Sequence, residues 1–434
     1  MALGHYQRAI LDFSMAYKFD SGNAEHFNYA GQCHLELGQL EEALHHFKHA
    51  IDLNPLEGRY YYNRAHVKSR LERYHEAIED YRKAQEHQSE SHIYYTFYNR
   101  GICLRKLGML EESIADLKQA VEMKSDNASA HNNLGLSYFE KGDFEEALVE
   151  YTKAINNEPA PLHYNNRGLA HLHIGKLVEA KKDFDEAING NDKDPIYYFN
   201  RGNVFLDQGN FDEAQRDYDR AINLDPKNPK FWHSKGLAYE GRANRESMER
   251  AISMYKEALS ISDTSLSSKF HLGLMFHKLN QFHEALQCFS AVLMKLSEDK
   301  NIYVNRGLVY QDMGNHQFAV ADFNTALKLD PEFSEAYFHR GISELKSRRP
   351  KDAIDDFKKA LDLEQSNDNP GIYDGLGCCY HALKDYEIAL SYMDLAISKD
   401  GTNVSFLMNR SQCFFEPGRY KESIEDLERA LTIN

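Results

Sequence analysis

No stretch of the 434 residues is apolar for the length that would cross a bilayer. The opening MALGHYQRAILDF also lacks the basic start, apolar centre and small-residue cleavage site of a secretory signal. Basic charge is in deficit, with 51 Lys and Arg against 67 Asp and Glu and a formal net charge of -16. Phosphate neutralisation needs the opposite balance, so nucleic acid is not the expected partner. The six cysteines contain no Cys-x-x-Cys pair and, without a secretory signal, read as reduced thiols of a cytoplasmic protein. Asn127 and Asn403 head Asn-x-Ser triplets that a chain kept inside the cell would not present for glycosylation. Catalytic signatures are missing too: there is no His-Glu-x-x-His, no Walker sequence and no Gly-x-Ser-x-Gly. Gly375-x-Gly377 follows no strand and so is not a phosphate loop. His45 and His49, four apart, could share a metal ion, but the expectation is a solvated helix face. The sequence therefore points to no enzyme, no cofactor and no metal. With 42% hydrophobic and 27% charged residues, it still has the composition of a folded chain.

What it does have is repetition. Glycine recurs at 31, 101, 135, 168, 202, 236, 273, 307, 341 and 377, and Ala65 and Ser411 complete a series of twelve units of about 34 residues. A second small residue follows twelve positions later, from Ala43 and Ala77 to Ser423, with three residues inserted before Ala251 in the seventh unit. Four further on stands a large apolar or aromatic side chain, from Phe47 and Tyr81 to Leu427. Three beyond that is Ala, with Val292 as the exception. Two antiparallel helices per unit explain the pattern: small residues let the backbones approach and the large one fills the space between. Gly inside a helix costs about 1 kcal/mol against Ala, so its recurrence must be offset by close packing. Gly38, Gly108, Gly142, Gly175, Gly209, Gly314 and Gly418 mark the turns, and Pro55, Pro226 and Pro331 end second helices. Cys33, Cys103, Cys379 and Cys413 share one unit position and read as small packing residues.

The fourth unit (Leu134-Gly135, Tyr138, Gly142, Ala147, Tyr151, Ala154, Pro159) and the ninth (Tyr303, Gly307, Tyr310, Gly314, Ala319, Phe323, Ala326, Pro331) carry the resemblance most clearly. They resemble the tetratricopeptide repeat (TPR) family, and twelve registers agree along the whole chain. The resemblance implies an all-α solenoid of about twelve helical hairpins in a right-handed superhelix, with a groove lined by the first helices. Gly4, Ala9, Phe13 and Ala16 match only a second helix, giving a leading half repeat, and Asn434 falls one residue before a closing proline. Neither end carries a polar cap, so a fragment, a short isoform, or end-to-end or partner capping is expected.

Two polar series stand out. Arg64, Arg100, Arg167, Arg201, Arg306, Arg340 and Arg410 hold unit position 7. Asp80, Asp116, Asp183, Asp217, Asp322, Asp356 and Asp426 hold position 23 of the same seven units, whereas the other five lack both. The one-to-one match predicts structural pairs between the two helices of a unit, for which the planar Arg fork is suited. Asn63, Asn99, Asn133, Asn166 and Asn200 hold position 6 of five consecutive units, and Asn305 and Asn409 recur later. In long arrays such as the TPR region of O-GlcNAc transferase, asparagine at this place lines the groove and holds an extended peptide backbone. The resemblance assigns these seven the same role, and an amide suits it because it both donates and accepts. The competing reading is that they bridge neighbouring helices. Ser234, His271, His339 and Gly375 interrupt the series, which predicts different or weaker binding in the C-terminal half. Tyr62, Tyr98, Phe199 and Phe270, with Ile102, Leu136 and Leu169, flank it as core or lining.

The expected function is a non-enzymatic scaffold or adaptor for protein or peptide segments. The Asn-Arg-Gly pattern is similar to that of eukaryotic ciliary TPR proteins, which points to cilium or cytoskeletal assembly. The alternatives are the substrate-recognition arm of a larger enzyme, such as a glycosyltransferase, and a chaperone cofactor. The chaperone reading is disfavoured: where a two-carboxylate clamp needs Lys and Asn, unit one has Asn28 and Gln32, and where it needs Lys and Arg, unit three has Tyr95 and Asn99. The expected domains are an N-terminal sub-array over 1–240, an irregular joint over 241–268 and a C-terminal sub-array over 269–434. Bulges are expected at 86–92 and 364–370.

Overall fold

The computed structural model describes residues 2–87, 93–364 and 369–433; the central parts of the expected bulges at 86–92 and 364–370, residues 88–92 and 365–368, lie outside them. Every regular element among the described residues is an α-helix. A leading helix, Ala2–Phe19, precedes twelve hairpins. Hairpins one to three pair Ala24–Glu36 with Leu40–Leu53, Gly58–Arg70 with Tyr74–His87, and Ile93–Lys106 with Leu110–Met123. Hairpins four to six pair Ala128–Lys141 with Phe144–Asn157, Pro161–His173 with Leu177–Gly190, and Pro195–Asp207 with Phe211–Leu224. Hairpins seven to nine follow as Pro229–Glu240 with Arg245–Ile261, Leu266–Lys278 with Phe282–Leu293, and Lys300–Asp312 with His316–Leu329. The last three are Ser334–Lys346 with Pro350–Leu363, Pro370–Ala382 with Tyr386–Lys399, and Val404–Phe415 with Tyr420–Ile433. This is the TPR-type all-α array expected from the repeat. Asn127 and Asn403 are helix N-caps, accepting from the backbone N–H of Ala130 and Ser405.

The glycines sit where the helices touch. A Cβ on Gly135 would lie 2.6 Å from the Tyr151 ring, and one on Gly202 2.7 Å from the Tyr218 ring. Both rings are fully buried, so no side chain fits there without displacing core. The turns obey a second rule. Seven turn glycines have φ between 72 and 94°, and the remaining five hairpins hold Glu72, Ala243, Asn280, Arg348 and Lys384 at φ 53 to 64°. Each turn thus needs the left-handed conformation whether or not glycine is present to supply it cheaply.

The hairpins gather into two compact bodies, Met1–Leu224 and Asp225–Asn434. The 241–268 segment lies inside the second body. The three extra residues of unit seven extend its second helix to 17 residues instead of the usual 14. Three residues are nearly one helical turn, so Ala251, Tyr255 and Ala258 still face inward and are fully buried. Ala251 and Tyr255 share a core with Leu272, Phe289 and Ile302 of the following hairpins.

All seven Arg–Asp couples meet. In each, Nε donates to one carboxylate oxygen and Nη2 to the other at 2.5–2.9 Å. The Asp side chains are only 3–11% exposed and the Arg side chains 10–22%. In six of them Nη1 reaches back to the preceding hairpin: Arg100 to Gln85, Arg167 to Thr152, Arg201 to Asp185, Arg306 to Ser290, Arg340 to Asn324 and Arg410 to Asp394. One guanidinium therefore closes its own hairpin and fastens it to its neighbour. Burial pushes the Asp183 carboxyl up, but His171 Nδ1, 3.3 Å away, and the Arg167 fork outweigh it and leave Asp183 below the ordinary range.

Hairpins without the couple use other contacts. In hairpin four Glu150 takes the Asp place and binds His131 Nδ1 at 2.6 Å, while Nε2 of the same ring lies 3.0 Å from the Ser125 carbonyl. Two acceptors on one ring require the imidazolium. In hairpin eleven the Tyr392 ring stacks on Tyr380 instead.

Three outcomes are expected. Arg201→Ala strands the buried Asp217 and should cost about 3–5 kcal/mol, read as lost hydrogen-exchange protection over 195–224; wild-type protection there would show an idle pair. Lys384→Gly relieves a left-handed residue and should gain about 0.5–1 kcal/mol in urea melts. The hydrogen bond to Glu150 raises the His131 pKa against burial, so its contribution is full below the ordinary value of about 6.5 and fades as pH climbs through the folded value. Burial pushes Glu150 up, but His131 and Lys153 bring it below the usual range, so its share is lost only in acid. The stability gap between wild type and His131→Gln should therefore be full below about pH 6.5 and narrow as the pH rises above it in thermal melts.

Candidate functional site

Within each body the first helices of successive hairpins approach one another more closely than the second helices do. The hairpins therefore fan with first helices on the inner side, and unit positions 2, 5, 6 and 9 share that face. Helix periodicity brings the seven asparagines onto it.

Their Nδ2 atoms are already engaged. Asn63 donates to Asn28 Oδ1 at 2.8 Å, Asn99 to the Tyr62 hydroxyl at 3.0 Å and Asn133 to the Tyr98 hydroxyl at 3.1 Å. Asn166 donates to Asn132 Oδ1 at 2.9 Å and Asn200 to Asn165 Oδ1 at 2.8 Å. Asn409 donates to both oxygens of Asp374, whose carboxyl burial pushes up against that hydrogen bond. Each acceptor stands at position 5 of the preceding hairpin. Asn305 follows Phe270, which offers no acceptor there, and folds back onto its own helix at the Asn301 carbonyl. The asparagines are thus rungs between hairpins. Among the described residues no donor engages Oδ1 of Asn63, Asn99, Asn133 or Asn200, while Asn166 Oδ1 receives Asn165 at 3.4 Å. What the rungs keep free is a row of acceptors. The sequence carried the signal for the partners, since an acceptor residue precedes six of the seven asparagines by 34 to 37 residues.

Around the rungs, Tyr62, Tyr98, Phe199, Ile102, Leu136 and Leu169 are half-buried. Position 2 supplies an apolar edge that the repeat pattern did not flag: Tyr95, Leu162 and Ile196 are 44, 51 and 40% exposed. Lys124 sits over the Tyr95 ring at 4.6 Å.

The second body has different inner-face chemistry. At the His271 break, His271 Nδ1 lies 3.1 Å from Glu240 Oε2, which also accepts from the Tyr255 hydroxyl at 2.9 Å. His233 stands 3.0 Å from Ser268 Oγ, and burial and then His271 push its pKa down to about 4. Burial likewise takes His339 to about 4. Gly375 is a steric break, since a Cβ there would lie 2.5 Å from the Phe357 ring. Phe270 is half-buried, packed 5.7 Å from the Phe289 ring.

The clamp position of hairpin one is closed, because Asn28 is fully buried and bound to Asn63. Cys33, Cys103, Cys379 and Cys413 are buried free thiols, and Gly375-x-Gly377 lies inside a helix. Among the described residues no group of three or more His, Cys, Asp and Glu side chains gathers around a metal-sized space, and no helix is long and apolar enough to cross a membrane.

Comparison with known proteins agrees with this geometry. The TPR repeat profile matches residues 103–142 and 202–241. Tetratricopeptide repeat profiles match 27–56, 58–88, 128–160, 301–333 and 370–402, so that the matches together cover just over half of the chain. U-box domain-containing protein 70 of Oryza sativa subsp. japonica is 30% identical over 86 residues, 20% of this chain and 11% of the relative. BBSome complex member bbs-4 of Caenorhabditis elegans is 24% identical over 212 residues, 40% of this chain and 45% of the relative. The chain spans less than half the length of either relative. Among solved structures, the hetero-tetramer Cut9-Hcn1 of the APC/C aligns at a TM-score of 0.49 and 13% identity, covering 95% of this chain and 93% of that one. The chain belongs to the tetratricopeptide repeat family.

Proposed function

We propose that the chain is a non-enzymatic scaffold that holds an extended polypeptide segment along the inner face of hairpins two to six. The observation that carries this reading is the row of unengaged Asn Oδ1 atoms beside the exposed Tyr95, Leu162 and Ile196. Carbonyl oxygens accept from main-chain N–H groups of any sequence, while the apolar edge takes side chains. Contacts spread over several hairpins add, so a long segment gains affinity that no single hairpin supplies. Asn305 and Asn409 would be minor members of a separate inner face within the second body.

The likeness to a BBSome complex member supports a place in a multi-subunit assembly, and the similarity of the Asn-Arg-Gly pattern to ciliary repeat proteins directs that place to the cilium or cytoskeleton. A second reading is favoured by the small share of its relatives that the chain covers: the array as the recognition arm of a larger protein. The buried Asn28 counts against the chaperone-cofactor reading.

Substituting the rungs themselves would also loosen the hairpins, so the edge gives the cleaner test. Leu162→Glu with Ile196→Glu should leave the melting curve unchanged and abolish affinity capture of partners. Val178→Glu, at a 75% exposed site on a second helix, should retain them. Equal captures by both variants would remove the groove from the reading.

A further inference from the structure

The second helix of hairpin one, Leu40–Leu53, carries three histidines that its geometry divides into two groups. His46 turns into the hairpin, where its ring stacks on His34 at 5.0 Å and lies 6.2 Å from Phe27. His34 is itself held through Nδ1 by Gln39 at 2.7 Å. His45 and His49 face outward, and both are exposed. Their ring centroids are 4.5 Å apart, and Nε2 of one lies 3.1 Å from Nε2 of the other.

Two ring nitrogens at that distance cannot both carry a proton between them. One donates and the other presents its lone pair, so a single hydrogen lies between the two rings. A metal ion can take the place of that proton and satisfy both lone pairs. The spacing suits it: nitrogens bound at about 2.0–2.1 Å to one ion, at bond angles of about 90–110°, stand about 2.9–3.4 Å apart. Residues four apart on a helix lie one above the other on the same face, so the backbone holds the two rings in this relation.

We propose that His45 and His49 form a two-imidazole site for a divalent transition-metal ion on the outer face of hairpin one. Imidazole selects copper, nickel and zinc over magnesium and calcium, with copper bound most tightly. No third His, Cys, Asp or Glu completes a metal-holding group there among the described residues, so water fills the other positions and the ion exchanges readily. The site sits on a second helix, with the His49 ring 5.5 Å from Phe27 of the first helix, and does not depend on the groove reading.

The test uses tag-free full-length protein and the metals alone. Calorimetric titration with Ni²⁺ or Cu²⁺ should give one site of highest affinity, and Mg²⁺ should give none. His45→Ala and His49→Ala each remove one exposed ring and should each weaken that site at least tenfold, while His75→Ala, on the neighbouring hairpin, should not. Electron paramagnetic resonance of the Cu²⁺ form should show coupling to two ring nitrogens, falling to one in either variant. Unchanged affinity in both variants, or a spectrum with a single nitrogen in the wild type, would overturn the proposal. So would absence of any binding by Ni²⁺ or Cu²⁺ to a chain whose circular dichroism is that of folded helices.

Discussion

A ring pressed against a residue that has no side chain sets the distance between the two helices of a hairpin. At Gly135 and Gly202 the space a methyl group would need is occupied by a buried tyrosine. The polar chemistry depends on that spacing. A guanidinium meets both oxygens of one carboxylate only when the two backbones are held at a fixed separation, and seven hairpins reproduce the fork within a few tenths of an ångström. Apolar contact provides the separation and the ion pair fixes the register. The third guanidinium nitrogen then carries that register into the preceding hairpin.

How much of this could be read from the residues depended on where each interaction's partners lie. The Arg–Asp couples were legible because both members belong to one unit and vary together, as at Arg64 with Asp80. The asparagine rungs were half legible. Their recurrence is plain, but their acceptors lie in the preceding unit and change chemistry from Asn28 to Tyr62 to Asp374. No single residue type marks them. The turns hid in a different way. Glu72, Arg348 and Lys384 adopt a conformation that only glycine advertises, because the packed helices on either side dictate the path of the chain. The insertion in unit seven suggested a loose joint at 241–268. Its three residues lengthen the second helix and leave the buried face almost in phase.

The two bodies carry one architecture with two inner-face chemistries. Neutral amides and aromatic hydroxyls fill the first body's inner face, from Asn63 to Asn200. Imidazoles and a carboxylate replace them at His233, His271 and Glu240 in the second. The exchange falls at positions 5 and 6, and His233 and Phe270 at position 5 still pack their rings against the buried Tyr255 and Phe289 of the second helix. Side chains there vary while a small residue facing a large apolar one recurs in every unit.

The rungs and the guanidinium links join each hairpin only to the one before it. A chain of nearest-neighbour fasteners behaves under tension as a series of clasps, so a body pulled along its length would give way one hairpin at a time. Load would be dissipated in small steps, and a released hairpin could close again on a neighbour that still holds its shape.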